Sequence, residues 1–422
     1  MHRTLRRAGL VSAVAMAAMG MAAGLGGPAA AAAPTAEVLN CWTSGGESAA
    51  LAEVRAAFTA RGGVWKDTPV AGCSNARAAA VNRMIGGDAP PIFQFSIGEQ
   101  LKELAEQGLL GDIDGPAKAA NWDALLPPMI AQVAKHDGRY IAAPVNIHGE
   151  NWMFYNAAVL ERAGVAVPGS WPEFLEAAGT LKGKGVTPIA LGGQPWQERI
   201  LFNTVLLGVG GRDHYARIYG DLDRAAMESE TTLEAFRTFA ALRGFVDEGS
   251  PGRRWNEATA MLIRGDAAFQ FQGDWVKGEM VAAGIEPGTA VGCALAPARD
   301  TAYIMAVDAF AFSRSRDAQA QAAQTLMAEV LLDPAVQVAF NRRKGSIPIR
   351  NDVDGTGFDA CARLAMETLK DTKTHLVSTG LFGVSSSVSG AIDDAISQFW
   401  NNPSMTPENG RALFIRSIAD AR

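Results

Sequence analysis

The pattern of residues 37–58 predicts a strand that passes through a short turn directly into a helix. Val38 and Leu39 begin a short apolar strand, and Gly45 and Gly46 permit a tight backbone turn. Apolar residues then recur at helical spacing up to position 58. In open α/β sheets, the carboxyl end of such a strand and the free N–H groups of the next helix border the ligand site. We therefore expect an α/β fold with a binding edge after this first strand.

The side chains at this edge are suited to carbohydrate. Trp42 offers an aromatic face to the C–H face of a sugar ring, and Thr43, Ser44 and Glu47 offer partners to its hydroxyls. Thr43 and Ser44 are also candidate caps of the helix. The alternative is an ordinary first strand–helix turn of an α/β domain, without a role in binding.

The first 33 residues have the composition of a secretory signal peptide. Arg3, Arg6 and Arg7 are followed by an apolar run over residues 10–25 and by small residues up to Ala33. A transmembrane anchor is the alternative, but the run is short and interrupted by glycine. No cysteine lies at the cleavage point, so a lipoprotein anchor is not expected. The mature chain is therefore expected in the periplasm.

The four cysteines of the mature chain are expected to form disulfides, because export leads to an oxidising compartment. None belongs to a C-x-x-C pair, and four cysteines allow three pairings. We favour Cys293–Cys361 and Cys41–Cys73. The alternative for the second pair is two buried free thiols.

The length and charge of the chain favour a two-domain binding or catalytic protein. Its 422 residues suffice for two domains, and a net charge of −6 argues against nucleic acid as a partner. Alternating strands and helices predict a mostly parallel sheet in the first part. Residues 303–312 are expected to form one strand, and a helix over residues 200–207 is expected to end near Gly208 and Gly210. Since no long linker is present, two discontinuous lobes should share several short crossings.

Signatures of catalysis, metal binding and nucleotide binding are missing from the sequence. There is no G-x-S-x-G elbow, H-E-x-x-H motif or P-loop, so neither a metal nor a cofactor is expected. The histidines of the mature chain show no metal spacing, and we expect surface or structural roles for His136, His148, His214 and His375. Glu47 and Asp308 are the carboxylate pair with which a glycosidase could be tested.

Aromatic residues recur at turns beside amides or acids. The pairs are Trp42 with Glu47, Gln194 with Trp196, and Asp274 with Trp275. Asp308 and Lys344 stand alone in apolar surroundings. Because these residues come from both halves of the chain, together they predict a cleft lined by aromatic platforms and charged groups.

Eight short motifs occupy residues 42–47, 69–72, 122–128, 144–146, 192–197, 273–275, 344–348 and 358–361. With these motifs, almost the whole mature chain resembles the periplasmic solute-binding proteins of sugar ABC transporters, and in particular the bacterial glucose-binding proteins. The resemblance implies a type II periplasmic-binding-protein fold with a multi-strand hinge. One lobe would comprise residues 34–146 and 302–347, and the other residues 147–301 and 348–422.

The resemblance also implies a set of ligand contacts between the lobes. Trp196 and Trp275 would stack on the sugar from the second lobe, while Asp308 and Lys344 would bind adjacent hydroxyls from the first. The full candidate set is Trp42, Glu47, Gln94, Gln194, Trp196, Trp275, Asp308, Lys344 and Phe382. Cys293 and Cys361 match cysteines of relatives, which supports their pairing.

Four positions depart from the glucose-binding pattern. Glucose-binding relatives carry tryptophan at the position of Cys41, a basic or imidazole group at Ser96, a basic group at Gly149 and histidine near Phe382. A charge-assisted hydrogen bond lost from a buried site costs about 1.5–3 kcal/mol, so plain glucose is disfavoured. Phe382 could add a stacking surface instead, and the ligand could be another hexose, a pentose or an oligosaccharide.

The function expected from the sequence is reversible sugar capture by hinge closure, without chemistry. The partners would be a small-molecule sugar and a membrane ABC transporter permease, and the protein would act as a monomer. A glycan-processing enzyme and a chemoreceptor-type sugar sensor are the alternatives.

Overall fold

The computed structural model describes residues 32–300, 302–370 and 383–422, and the backbone of residues 375–378. Almost all of the predicted signal peptide, and Phe382, lie outside the described residues. Among the described residues, no helix is long and apolar enough to cross a membrane.

The described strands are, in chain order, β1 (Thr35–Asn40), β2 (Val64–Pro69), β3 (Ile92–Ser96), β4 (Lys135–His136), β5 (Arg139–Tyr140), β6 (Ala142–Pro144), β7 (Asn146–Gly149), β8 (Trp152–Asn156), β9 (Thr187–Ile189), β10 (Ala267–Gln272), β11 (Val291–Leu295), β12 (Ala302–Ala306), β13 (Asp308–Phe312), β14 (Ile347–Pro348) and β15 (His375–Ser378).

The described helices are α1 (Gly45–Ala60), α2 (Cys73–Ile85), α3 (Glu99–Glu106), α4 (Asp114–Ala119), α5 (Trp122–Leu125), α6 (Pro128–Val133), α7 (Ala157–Ala163), α8 (Trp171–Gly183), α9 (Pro195–Tyr219), α10 (Arg224–Glu228), α11 (Glu230–Leu242), α12 (Trp255–Arg264), α13 (Val276–Ala282), α14 (Ala318–Leu331), α15 (Pro334–Lys344), α16 (Ala360–Lys370), α17 (Ser386–Trp400) and α18 (Pro407–Ala421).

The first strand and helix form as their sequence predicts. Ser44 caps α1 by accepting a hydrogen bond from the backbone N–H of Glu47, and the Glu47 carboxylate accepts the N–H of Ser44 in return. The apolar positions at helical spacing, Ala50, Leu51, Val54 and Phe58, are buried. The local cap and the burial of one helix face therefore stabilise α1.

The first sheet has the strand order β2-β1-β3-β13-β6 and is mixed, not mostly parallel as predicted. β1 runs parallel to β2 and β3, whereas β13 is antiparallel to both β3 and β6. The prediction failed because β13 comes from residue 308 onward, and local patterns do not show how such a distant strand pairs.

Residues 303–312 form two strands in different sheets instead of the one predicted strand. β12 pairs with β7 and β15 in a sheet of order β14-β7-β12-β15, and β13 belongs to the first sheet. Val307 separates them, and Val145 separates β6 from β7 in the same way. The chain therefore crosses between these two sheets at both places, as expected for short shared crossings.

A further sheet, of order β11-β8-β10-β9, packs against the long helix α9 through β10. Helices α11 and α17 pack on α9, and α18 packs on both of them. The helix predicted to end near Gly208 and Gly210 is interrupted at Gly211, where φ is +74°, and a second helical stretch of α9 continues from there to Tyr219. Gly208 serves close packing: a Cβ there would lie 2.1 Å from Nε1 of Trp171.

Both predicted disulfides are present in the structure. Cys41 is bonded to Cys73, which joins the end of β1 to the first residue of α2. Cys293 is bonded to Cys361, which joins β11 to the start of α16. The alternative of two buried free thiols is excluded.

Candidate functional site

Lys344 lies at the centre of the residues predicted to bind ligand. It is the last residue of α15 and is buried, with 3% of its side chain exposed. Its ammonium Nζ lies 3.5 Å from Oε1 of Glu47, 5.2 Å from the ring centre of Trp42 and 6.0 Å from that of Trp275. A carboxylate and two indole faces therefore stabilise this buried cation.

Close contacts between backbones hold these groups together. A Cβ at Gly46 would lie 2.4 Å from the carbonyl carbon of Gly278, and one at Gly345 would lie 2.7 Å from the amide nitrogen of Gly278. Gly345 also has a φ of +85°, which side-chain-bearing residues rarely adopt. The N–H of Gly46 donates to Glu279 across the same junction, over 2.8 Å. Glycines thus bring the starts of α1 and α13 against the end of α15.

Several side chains of the site donate hydrogen bonds to the carboxylate of Asp308. It begins β13 and accepts hydrogen bonds from Nε2 of Gln94 (3.3 Å), Nδ2 of Asn146 (3.3 Å) and Nε2 of His148 (3.2 Å). Burial alone would raise the pKa of Asp308, but these hydrogen bonds and the charges of His148 and Lys344 lower it to about 2. The carboxylate is therefore ionised and still 17% exposed.

His148 joins two carboxylates from different sheets. Its Nδ1 donates to Asp274, which follows β10, while its Nε2 donates to Asp308 of β13. Burial opposes the charged imidazolium, but the Asp274 carboxylate and the two hydrogen bonds raise the pKa of His148 overall. The expected hydrogen-bonded structural role is confirmed, although the sequence did not indicate either partner.

Two partly exposed indoles lie beside the charged side chains of His148 and Lys344. The rings of Trp196 and Trp275 lie 6.0 Å apart between centres, and Trp275 meets the imidazole of His148 edge-on at 5.1 Å. The indole N–H of Trp275 is buried and has no acceptor among the described residues. Gln194 precedes Trp196 and accepts a hydrogen bond from Gln197 at 2.9 Å. The two indoles therefore lie side by side, and the ammonium of Lys344 lies over the ring of Trp275.

Trp42 is too deeply buried to offer its ring face to a ligand. Only 3% of it is exposed, and its ring packs against Phe310 and Phe340 at 5.5 and 5.4 Å. It contributes mainly as the surface beneath the ammonium of Lys344. Of the predicted set, Trp42, Glu47 and Trp275 surround Lys344, Trp196 lies beside Trp275, and Gln94 binds Asp308, whereas Gln194 bonds only with Gln197 among the described residues.

A second charged group, consisting of Glu150, Arg199 and Asp393, lies near His148 and Asp308. Nε of Arg199 donates to Asp393 over 2.5 Å, and its Nη1 lies 3.9 Å from Glu150. Burial raises the pKa of Glu150 to about 7, although the charge of Arg199 opposes this. Sequence reasoning missed this group, since its members are 49 and 194 residues from Arg199 and form no motif.

The described residues contain no cluster of histidine, cysteine and acidic side chains arranged to hold a metal ion. The site offers indole faces, ionised carboxylates, amides and cationic donors. Such a set can hold a polar, hydroxyl-rich molecule by stacking and hydrogen bonds.

The sequence profile of the bacterial extracellular solute-binding proteins matches residues 44–337. The chain belongs to this family. A probable sugar-binding periplasmic protein of Brucella melitensis is 40% identical over 371 residues, which cover 86% of this chain and 87% of the relative. A probable sugar-binding periplasmic protein of Mesorhizobium japonicum is 36% identical, with coverage of 92% and 94%.

Solved structures agree on the fold of this family member. A chitin oligosaccharide binding protein superposes with a TM-score of 0.80 at 19% identity, covering 92% of this chain and 99% of that one. The two-lobe α/β architecture of periplasmic solute-binding proteins is thereby confirmed.

Proposed function

We propose that the protein binds a sugar between its two lobes and delivers it unaltered to the permease of a membrane ABC transporter. One observation carries the proposal: the partly exposed indoles of Trp196 and Trp275 adjoin the buried ammonium of Lys344, whose charge also acts on the ionised Asp308. Family membership and the names of the Brucella and Mesorhizobium relatives support a sugar as the solute.

In this proposal each side of the site has a distinct role. Trp196 and Trp275 stack on the sugar ring, while Asp308 accepts from one hydroxyl and Lys344 donates to another. Glu47 keeps Lys344 in place through their 3.5 Å ion pair, and Gln94 orients Asp308. Gln194 and Phe382 would border the sugar.

Closure of the lobes is proposed to couple binding to transport. The lobes would comprise residues 34–146 with 302–347 and residues 147–301 with 348–422. Contacts between them, such as Gly46 with Glu279 and His148 with Asp308, would be made only in the closed state. A sugar touching both sides then favours closure, because it binds that state better.

The ionisation of Asp308 argues against a glycosidase that uses Glu47 and Asp308. Such an enzyme needs one carboxyl group that stays protonated near neutral pH. The pKa of Asp308 is lowered to about 2, and both oxygens of Glu47 are engaged, one in the cap of α1 and one with Lys344. Release of unchanged sugar is therefore the proposed outcome, from a periplasmic monomer.

The proposal is tested by a thermal-shift screen of the mature chain against monosaccharides and oligosaccharides, with amino acids and polyamines as controls. A binding sugar should raise the melting temperature, and the rise should grow with the logarithm of the sugar's excess over Kd. NMR of the sugar after prolonged incubation should show no product. Stabilisation only by amino acids or polyamines would contradict the sugar assignment, and hydrolysis would favour the enzyme.

A further inference from the structure

An arginine outside the predicted site lies beside the strand pair that carries Asp308, since its neighbour Phe95 pairs with Ala309, and Ser96 pairs with Asp308. Arg77 lies in the second turn of α2, with its guanidinium 5.5 Å from the ring centre of Phe95 in β3. Its Nε is fully buried, and the guanidinium has no hydrogen-bond or ion-pair partner among the described residues. A buried donor without an acceptor is rare in folded proteins, so this one needs an explanation.

Several charged side chains of the site act on the guanidinium of Arg77. Burial lowers its pKa, and the charges of Asp308, Arg199, Asp393 and Glu150 are all close enough to affect it. Asp308 belongs to the first sheet, whereas Arg199 lies in α9 and Asp393 in α17. Charges from the first sheet and from α9 and α17 therefore act on Arg77, which lies one strand position from Asp308 through its contact with Phe95. The ring of Phe95 covers one face of the guanidinium. The N–H groups lie in the plane of the guanidinium, so they remain available to donate to groups at its edge.

The Cys41–Cys73 disulfide fixes the part of α2 that carries Arg77. Cys73 and Arg77 are four residues apart on one helix and therefore share a face. The bond ties that face to Cys41, which immediately precedes Trp42 at the end of β1, with the two Cα atoms 4.9 Å apart. The disulfide therefore links the start of α2, which carries Arg77, to the residue next to Trp42.

The charges around the site leave no positive excess for an anionic ligand to neutralise. The cationic groups are Arg77, His148, Arg199 and Lys344, and the carboxylates are Glu47, Asp274, Asp308, Asp393 and the partly protonated Glu150. An added buried anion would carry an uncompensated charge, which is costly, whereas a neutral polyol accepts and donates without changing the balance.

We propose that Arg77 contacts the ligand, that it donates paired hydrogen bonds to neighbouring hydroxyls of a neutral sugar, and that the Cys41–Cys73 bond positions it for this. The inference rests on the proposed function and adds the class of sugar and a specificity-determining residue. The planar guanidinium suits two adjacent oxygens, which an ammonium group contacts less well.

Isothermal titration of the mature chain tests the role of Arg77. The probes are D-glucose, D-galactose and D-xylose, with D-glucuronate and D-galacturonate as acidic counterparts. Arg77→Met should weaken binding of the best neutral sugar about ten- to a hundredfold, and Arg77→Lys should restore little of it. Arg55→Met, which removes an exposed arginine of α1, is the matched control and should bind as the wild type does.

The outcomes separate this inference from the function on which it rests. If the wild type binds no sugar, both are wrong. If it binds a neutral sugar and both Arg77 variants bind within twofold of it, only the role of Arg77 is refuted. Acidic sugars bound as tightly as their neutral counterparts would refute the charge argument. Circular dichroism confirms that each variant is folded, and Arg77→Lys retains the charge if Arg77→Met does not fold.

A double-mutant cycle tests the role of the disulfide. Once Cys41 and Cys73 are both replaced by serine, Arg77→Met should cost at least threefold less affinity than it does in the wild type, because the guanidinium is no longer held in position. Equal losses in the two backgrounds would show that the disulfide does not position Arg77.

Discussion

Replacement of Asp308 by asparagine should change how the stability of the protein depends on pH. Asparagine keeps the shape of the side chain and removes its charge. In the native protein the pKa of Asp308 is about 2, against an ordinary value of 3.8. At 1.36 kcal/mol per pH unit, this difference corresponds to about 2.5 kcal/mol in favour of the folded state when the carboxylate is ionised.

The sign and the pH range follow from the lowered pKa. An acid that ionises more readily in the folded state stabilises it above the unfolded pKa, so the full contribution is present above about pH 5. It is lost as the pH falls from about 4 to about 2, where the native carboxylate also takes up a proton. Asp308→Asn lacks this contribution throughout.

Urea unfolding at pH values from 2 to 7 measures the effect, with tryptophan fluorescence and circular dichroism followed together to check for a single transition. The free energy of unfolding of the wild type minus that of Asp308→Asn should be about 2 kcal/mol larger at pH 6 than at pH 2, because the native carboxyl group is still about half ionised at pH 2. Asp394→Asn, at an exposed position on α17, is the control and should give a flat difference. If the difference in free energy of unfolding between the wild type and Asp308→Asn also did not change with pH, the electrostatic account of the site would be refuted.

Three further predictions concern binding and stability. Trp275→Ala should weaken the binding of the cognate sugar by about 2 kcal/mol or more in calorimetry, as for other buried aromatic anchors, and unchanged affinity would remove Trp275 from the site. Replacing both Cys293 and Cys361 by serine should lower the free energy of unfolding by about 2–5 kcal/mol, because the bond closes a loop with a sequence separation of 68; denaturant midpoints equal to the wild type's would argue against that bond. Burial raises the pKa of Glu150 to about 7, so the wild type should lose stability as the pH rises from about 4.5 through 7, and Glu150→Gln should lose less; parallel pH profiles of the two proteins would contradict this.

Residues close together in the chain were the ones that sequence reasoning placed correctly. The capping box of Ser44 and Glu47 spans three residues, and the apolar face of α1 repeats within each turn, so both follow from local propensity. Spacing and the resemblance to a known family brought Trp275, Asp308 and Lys344 into one candidate set, and the structure places them around one another.

Only the tertiary structure decided the rest. His148 meets Asp274 and Asp308 across 126 and 160 residues, and Arg77 reaches this region through a helix whose sequence is unremarkable. The separation of β12 from β13 at Val307 likewise depends on which distant strands pair with each half. The sequence alone determined the helices, their caps and the kind of chemistry available, because those depend on neighbouring residues. The electrostatic partners depended on how the sheets pack, since charge and burial act through space and are not encoded in local spacing.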